Sequence, residues 1–315
     1  LVGSEMCIRD SSKVISAAGT TVNWISQLSA GTNSGNLTIQ NNTIEKDTFA
    51  VASTNAGAIT ANLIQVSGAN ASSIINVSGN TIKRIFLKDV NSTYVGTMRG
   101  YHSTLPAAAT ENIFSNKVSN LCVSALAGSS ATHQLIGINS AGITTSGGSY
   151  TKNIYGNYVD TLYVRANGES TPLYNSLVIG INIPTTTLSG NGNATNIYKN
   201  KISHLIPFGT GVATIARGIW LQSIVPGATT SKAYIHNNMI NMDLNEAFDG
   251  ASVSGLIAPD AMRGIDLAQS QADSAFLYYN TIRIAGPATS AAGFGSSAIT
   301  MTSNAFEPSE YFIGS

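Results

Sequence analysis

One short pattern of apolar and polar positions recurs along the chain: an aliphatic residue, two variable residues, an Asn, one variable residue, then a β-branched aliphatic. The Asn falls at Asn42, Asn80, Asn116, Asn157, Asn200, Asn238 and Asn280, at spacings of 38, 36, 41, 43, 38 and 42 residues. Three residues before it stand Ile39, Val77, Ile113, Ile154, Ile197, Ile235 and Leu277. Two residues after it stand Ile44, Ile82, Val118, Val159, Ile202, Ile240 and Ile282, so both columns are aliphatic in every copy. A looser element lies between the motifs: Gly100-Tyr101, Gly137-Ile138, Gly180-Ile181, Gly218-Ile219 and Gly264-Ile265, each opening a short alternating stretch such as Ile219-Trp220-Leu221.

These segments are short, β-branched and bounded by Gly, Ser, Thr and Asn clusters, which predicts strands; nothing longer than a turn reads as helical. A repeat made of one set of strands cannot bury its own apolar face, whereas repeats stacked in register form a continuous core of Ile and Val columns. The expected architecture is therefore an all-β parallel β-helix of about seven repeats of roughly forty residues. Each motif Asn is expected in a tight turn with a left-handed backbone, its amide bonding to the turn and to the Asn one coil above and below. One coil per repeat, with a long loop after the second aliphatic column, is the preferred arrangement, and two shorter coils per repeat the alternative. At ~4.8 Å per coil, seven coils make a prism on the order of 30 Å long.

The stretches Asn-Ile-Phe-Ser-Asn-Lys-Val at 112–118, Asn-Ile-Tyr-Gly-Asn-Tyr-Val at 153–159 and Asn-Ile-Tyr-Lys-Asn-Lys-Ile at 196–202 carry a resemblance. They resemble the repeat of the pectin-lyase-like superfamily, in which an asparagine ladder marks one turn of a right-handed parallel β-helix. The long period and Tyr-Tyr-Asn-Thr-Ile at 278–282 are similar to repeat proteins secreted by Bacteroidota, which often end in a sorting domain. The resemblance spans roughly residues 20–305 and implies an extracellular or cell-surface location. The repeat departs from the superfamily's usual coil of twenty-odd residues, which implies extra length in loops.

The first ten residues, Leu-Val-Gly-Ser-Glu-Met-Cys-Ile-Arg-Asp, resemble a translated sequencing adapter from an environmental assembly and are set aside. Residues 11–315 are then expected to be a single domain, truncated at both ends, from within a longer protein. No run approaches the length of a membrane span. Only 10% of residues are charged, and 16 basic side chains balance 16 acidic ones. A neutral chain without a basic cluster is a poor partner for nucleic acid or an anionic membrane. Cys7 and Cys122 are far apart and lack metal-ligand spacing; Cys122 is expected as a small buried apolar residue, and no cofactor or metal is implied.

Polysaccharide-cleaving members of the superfamily gather carboxylates and a base on one strand face. Here the acids concentrate only at Asp243, Glu246, Asp249, Asp260, Asp266 and Asp273. Asp260 and Asp266 with Arg263 form the best local candidate for acid and base chemistry, which needs paired carboxyls roughly 5 to 10 Å apart. The alternative is a set of solvated loop charges. His102, His133, His204 and His236 sit at different offsets from the motif Asn and are not expected to stack. Two residues before the Asn, Phe114, Tyr155, Tyr198, His236 and Tyr278 alternate away from the inward aliphatics. They are expected outside as a ladder of rings, able either to stack on sugars or simply to stabilise the sheet. Sequons at Asn36, Asn41, Asn70, Asn76, Asn91 and Asn193 follow from Asn/Thr richness. A non-catalytic secreted or surface repeat segment, structural, adhesive or in contact with a polysaccharide or cell-surface glycan, is the expected function; a polysaccharide lyase or glycoside hydrolase on the same β-helix is the alternative.

Overall fold

The computed structural model describes residues 7–9, 12–15, 19–28, 36–51, 57–67, 73–90, 95–104, 109–126, 132–141, 150–167, 175–184, 193–207, 214–222, 232–243, 261–268, 274–285, 296–302 and 310–314. Among them the chain is a parallel β-solenoid of three sheets. Sheet I stacks Thr21–Leu28, Ile59–Ser67, Gly96–Thr104, Thr132–Ala141, Asn175–Ile183, Ile215–Leu221, Met262–Ala268 and Ser296–Thr302. Sheet II stacks Leu37–Gln40, Ile74–Ser78, Thr110–Phe114, Thr151–Tyr155, Ala194–Tyr198, Lys232–His236, Ser274–Tyr278 and Glu310–Gly314. Sheet III stacks Thr43–Val51, Thr81–Val90, Lys117–Leu126, Tyr158–Asn167, Lys201–Pro207, Met239–Asp243 and Thr281–Ala285. Cys7–Arg9 and Ser12–Ile15, at the start of the chain, also pair with the first of these.

Each repeat is one coil, visiting sheets I, II and III in turn. The register is that of the sequence motif: Ile113 pairs with Ile154 and Ile154 with Ile197, while Val118 pairs with Val159 and Val159 with Ile202. Strand alternation turns these residues inward, and their columns are buried along most of their length. Burying each such side chain contributes roughly 1.5–3 kcal/mol, repeated in every coil.

The motif Asn residues close the corner between sheets II and III. Asn116 donates from its backbone N and from Nδ2 to Asn157 Oδ1, both at 3.0 Å, and from Nδ2 to Val77 O of the coil before at 2.8 Å. Asn157 repeats this toward Asn200 Oδ1 and Ile113 O. The chain of bonds runs unbroken from Asn42 to Asn280.

Two expectations are corrected. The left-handed residue at this corner precedes the Asn: Asn41, Gly79, Ser115, Gly156, Lys199, Asn237 and Tyr279 have φ between 55° and 64°. That residue makes the bend, and the Asn after it is left to turn its amide into the ladder. The segment after the second aliphatic column is also not a loop but a strand of up to ten residues, as in Lys117–Leu126. It bends where Lys46, Arg84, Asn120, Thr161 and His204 take positive φ, four residues after the Asn, and then continues inward with Leu121, Leu162 and Leu205. The added length therefore goes partly into two long strands per coil.

The recurrent Gly of sheet I marks closest approach. A Cβ at Gly180 would lie 2.6 Å from Gly218 O and 2.7 Å from Ile202 Cγ2, and the same holds for its column neighbours. The Gly column is thus the partner of the second aliphatic column across the core.

Replacing Asn157 by Leu leaves the Asn116 donors, Ile113 O and Asn200 Oδ1 short of partners at one buried point. The expected loss is about 3 kcal/mol or more by urea denaturation. Replacing Tyr155, two residues away on the outer face, by Leu costs about 1 kcal/mol. Equal costs would show that the ladder does not hold the stack.

Candidate functional site

Polar side chains gather in four places, one inside the solenoid and one on the outer face of each sheet. The internal cluster lies five residues before the ladder Asn, a column that reads Leu37, Ile75, Glu111, Lys152, Thr195, Ala233 and Ala275. Lys152 Nζ sits 3.2 Å from Glu111 Oε2, with both side chains 1% exposed. Tyr101 Oη donates to Glu111 Oε1 at 2.6 Å, Ser140 Oγ donates to Glu111 Oε2, and Lys152 also donates to the carbonyls of Ser140 and Ala141. Burial pushes the Glu111 carboxyl up, but the Lys152 ammonium and the hydroxyl donors outweigh it and hold the group below the usual carboxylate range. Burial lowers the Lys152 ammonium against the opposing pull of Glu111, and burial followed by Glu111 raises the Tyr101 phenol well above its ordinary value. Sealed inside the coil, this network binds two coils together rather than meeting a ligand. The sequence signal for it was the inward position of two opposite charges in consecutive repeats.

The outer face of sheet II carries the ring ladder. Phe114, Tyr155, Tyr198, His236 and Tyr278 stack at centroid distances of 5.0, 4.9, 5.1 and 4.7 Å, with interplanar angles of 3° to 5°. Beside it runs a second amide ladder, Asn76, Asn112, Asn153 and Asn196, continued by the stacked pair Tyr234 and Phe276. Each ring face is covered by the next ring, so the ladder turns edges and hydroxyls outward. Stacking of this kind contributes roughly 0.5–1.5 kcal/mol per pair to the sheet.

On sheet III, Asp160 accepts from Ser203 Oγ at 2.7 Å and Thr161 Oγ1 at 3.0 Å, and pairs with His204 Nδ1 at 2.7 Å. Burial raises the Asp160 carboxyl, and these contacts more than reverse it, leaving it lowered. Lys117 and Lys201 each lie 5.5 Å from the Tyr158 ring centroid. Cys122 is buried in the core, as expected.

The outer face of sheet I is different in kind. One column reads Asn23, Asn62, Arg99, Ile136, Ile179, Arg217, Arg263 and Ser297; its neighbour reads Ser26, Gln65, His102, Asn139, Asn182, Trp220, Asp266 and Thr300. Asn182 Nδ2 donates to Asn139 Oδ1 at 2.7 Å, and Asn139 Nδ2 meets His102 Nδ1 at 2.8 Å. Gln222 Nε2 donates to Asn182 Oδ1 at 3.0 Å. Although outward, Asn62, Asn139, Asn182, Arg217 and Asp266 are buried, whereas Arg99, His102, Trp220 and Arg263 keep partial exposure. Trp220 Nε1 and Arg99 Nε on this face are closed to solvent without a hydrogen-bond partner. Buried donors left unmade are costly, and their concentration on one face singles it out.

The face also holds two of the three sequence candidates for acid and base chemistry. Arg263 Nη1 donates to Asp266 Oδ1 and Oδ2 at 3.0 and 2.9 Å, and Arg217 Nε donates to Asp266 Oδ2 at 2.6 Å. Asp266 is thus clamped by two guanidinium groups. Asp260, the third, lies outside the described residues, as do Glu246, Asp249 and Asp273; Asp243 is on sheet III, bonded by Arg283. Among the described residues no group of three His, Cys, Asp or Glu side chains converges as a metal site would require, and no helix is long and apolar enough to cross a membrane.

The histidines give the fold a pH response. His133 is buried in sheet I and accepts the Gly96 N–H at Nδ1, and burial pushes its pKa down to about 4. A ring held neutral in the fold binds its proton more readily when unfolded. Stability is then full above about pH 6.5 and falls as pH drops toward 4, at about 1.4 kcal/mol per pH unit for such a group. Urea midpoints taken from pH 7 to pH 5 are expected to decline, and His133→Gln to flatten the decline; an unchanged slope in the variant would contradict the assignment.

No family model, curated protein or solved structure matches this chain.

Proposed function

We propose that this segment is a non-catalytic repeat scaffold of a secreted or cell-surface protein, and that it contacts a polysaccharide or cell-surface glycan through the outer face of sheet I. The observation that carries this is the coincidence on one rigid face of an amide row, arginines and a Trp indole, of which Arg99, His102, Trp220 and Arg263 keep partial exposure. Amides and indoles of this kind recognise a surface of hydroxyls and sugar rings, by paired hydrogen bonds and by stacking. A solenoid holds them at a fixed interval along one line, suited to a polymer.

The same face supports a scaffold better than an enzyme. The oxygens of Asp266 accept hydrogen bonds from Arg217 and Arg263, which occupy the carboxylate and fix its position instead of leaving it turned toward a substrate. The ring ladder of Phe114, Tyr155, Tyr198 and Tyr278 enters this proposal as a cohesive element whose hydroxyl edges offer a secondary contact strip. Membership of the pectin-lyase-like superfamily and a Bacteroidota source belong to the same proposal, supported by the Asn ladder and the repeat length.

The test is a polysaccharide panel that records binding and release of reducing or unsaturated ends together, with and without calcium. Binding without release is expected, weakened roughly tenfold or more by Trp220→Ala, as for a central aromatic contact. Tyr155→Leu with Tyr198→Leu is expected to lower stability more than affinity. Product release that disappears in Asp266→Asn would overturn the non-catalytic assignment.

A further inference from the structure

The cluster inside the solenoid sets a lysine against a carboxylate away from water. Lys152 Nζ and Glu111 Oε2 lie 3.2 Å apart, each side chain 1% exposed, on strands Thr151–Tyr155 and Thr110–Phe114 of adjacent coils. Four oxygens surround Nζ. Two are the main-chain carbonyls of Ala141 and Ser140, at 2.8 and 3.2 Å; the others are Ser140 Oγ and Glu111 Oε2. An ammonium has three protons, so with two given to the carbonyls the third faces Ser140 Oγ and Glu111. When that proton leaves, the nitrogen lone pair is directed at the Glu111 carboxyl.

The carboxyl is prepared in the same way. Ser140 Oγ accepts from Lys152 Nζ and donates to Glu111 Oε2, so it bridges the two groups as a proton relay. Tyr101 Oη donates to the other oxygen, Oε1, at 2.6 Å. Burial lowers the hold of Lys152 on its proton, and a lysine can release it where an arginine cannot.

We infer that Glu111 and Lys152 condense to an amide, a covalent staple between adjacent coils that the folded chain forms by itself. The new bond joins Nζ to Cδ of Glu111, and the bond from Cδ to Oε2 breaks. One Nζ proton stays on the amide nitrogen; the other two pass through Ser140 Oγ to Oε2, which departs as water. Ammonium and carboxylate charges cancel in the process, and no other reactant is needed. Tyr101 Oη holds the charge that develops on Oε1 in the tetrahedral intermediate and then bonds the amide oxygen. Two ions deprived of water gain by becoming a neutral amide, and groups fixed in contact react as though present at roughly 10⁵ M or more.

Two further ion pairs mark the limits of this chemistry. Arg217 and Asp266 are buried together, but a guanidinium does not give up its proton. Lys83 and Glu45 are closer, at 2.7 Å, yet Lys83 is 33% exposed and keeps its hydration. Neither pair is expected to link. The staple goes beyond the glycan contact and does not depend on it: by closing residues 111–152 into a covalent ring, it keeps that coil from unwinding when the solenoid is pulled.

The experiment measures the intact mass of the full chain after folding, followed by tryptic mapping. The chain is expected to be lighter than its sequence by one water, with the peptide that carries Glu111 joined to the one that carries Lys152 and no cleavage after Lys152. The Lys152→Arg chain, which keeps the ion pair, is expected at its sequence mass. Tyr101→Phe is expected to form the link roughly a hundredfold more slowly, as for the loss of one donor to a developing oxyanion. Matching circular dichroism of the three chains ensures that folded states are compared. A wild-type chain that stays at its sequence mass after days in the folded state would overturn the inference. So would a water loss mapped to any other pair of residues, Lys83 and Glu45 included, or one that persists in Lys152→Arg.

Discussion

Everything in this molecule depends on the corner where one asparagine per coil turns its amide along the axis. A polypeptide that bends sharply between two strands strands backbone donors and acceptors away from water, and these must find partners inside. Each Asn satisfies its own Nδ2, the backbone N of its neighbour and the carbonyl three residues before the neighbouring Asn. Because a donor in one coil needs the acceptor in the next, the coils are locked in register. The aliphatic residues on either side then have no choice but to stack in columns.

That lock explains how the outer faces can differ so much. Among the described residues the inward positions are mostly apolar. The charged exceptions include Asp47, which stands in the column of Ile85 and Leu121 and accepts from Trp24 Nε1, and the Glu111–Lys152 pair, whose charges are compensated one coil apart. Breaking one partner of such a pair costs about 3–5 kcal/mol, whereas replacing both by apolar residues is close to neutral, so its value lies more in specifying which coils adjoin than in stability. Outward positions carry no such restriction. Sheet II uses them for rings and amides that stack on themselves, and sheet I for charges and donors that do not fully satisfy one another.

The solenoid was legible in the sequence because its strongest constraints are periodic: Asn with an aliphatic three before and two after is a pattern that survives loops of any length. The left-handed position was misplaced by one residue, since Asn41, Ser115 and Tyr279 share no chemistry that would announce a bend. The second half of each sheet III strand was hidden by the bend at residues such as Asn120 and His204, which shifts the alternation and makes Leu121 and Leu205 look out of phase. At the candidate site, Arg263 and Asp266 were legible as neighbours on one strand. Arg217, forty-nine residues from Asp266, became visible only once the columns were aligned.

The central claim is that one repeat is one coil with the motif asparagines in direct contact. It is tested by disulfide trapping between Thr151 and Ala194, partners across adjacent strands of sheet II, both changed to Cys in a Cys7→Ser background. Strands ~4.8 Å apart bring such a pair within disulfide reach. The account predicts rapid oxidation of that pair and none between Cys at 151 and Cys at 232, two coils away. Trapping of the distant pair, or of neither, would contradict it.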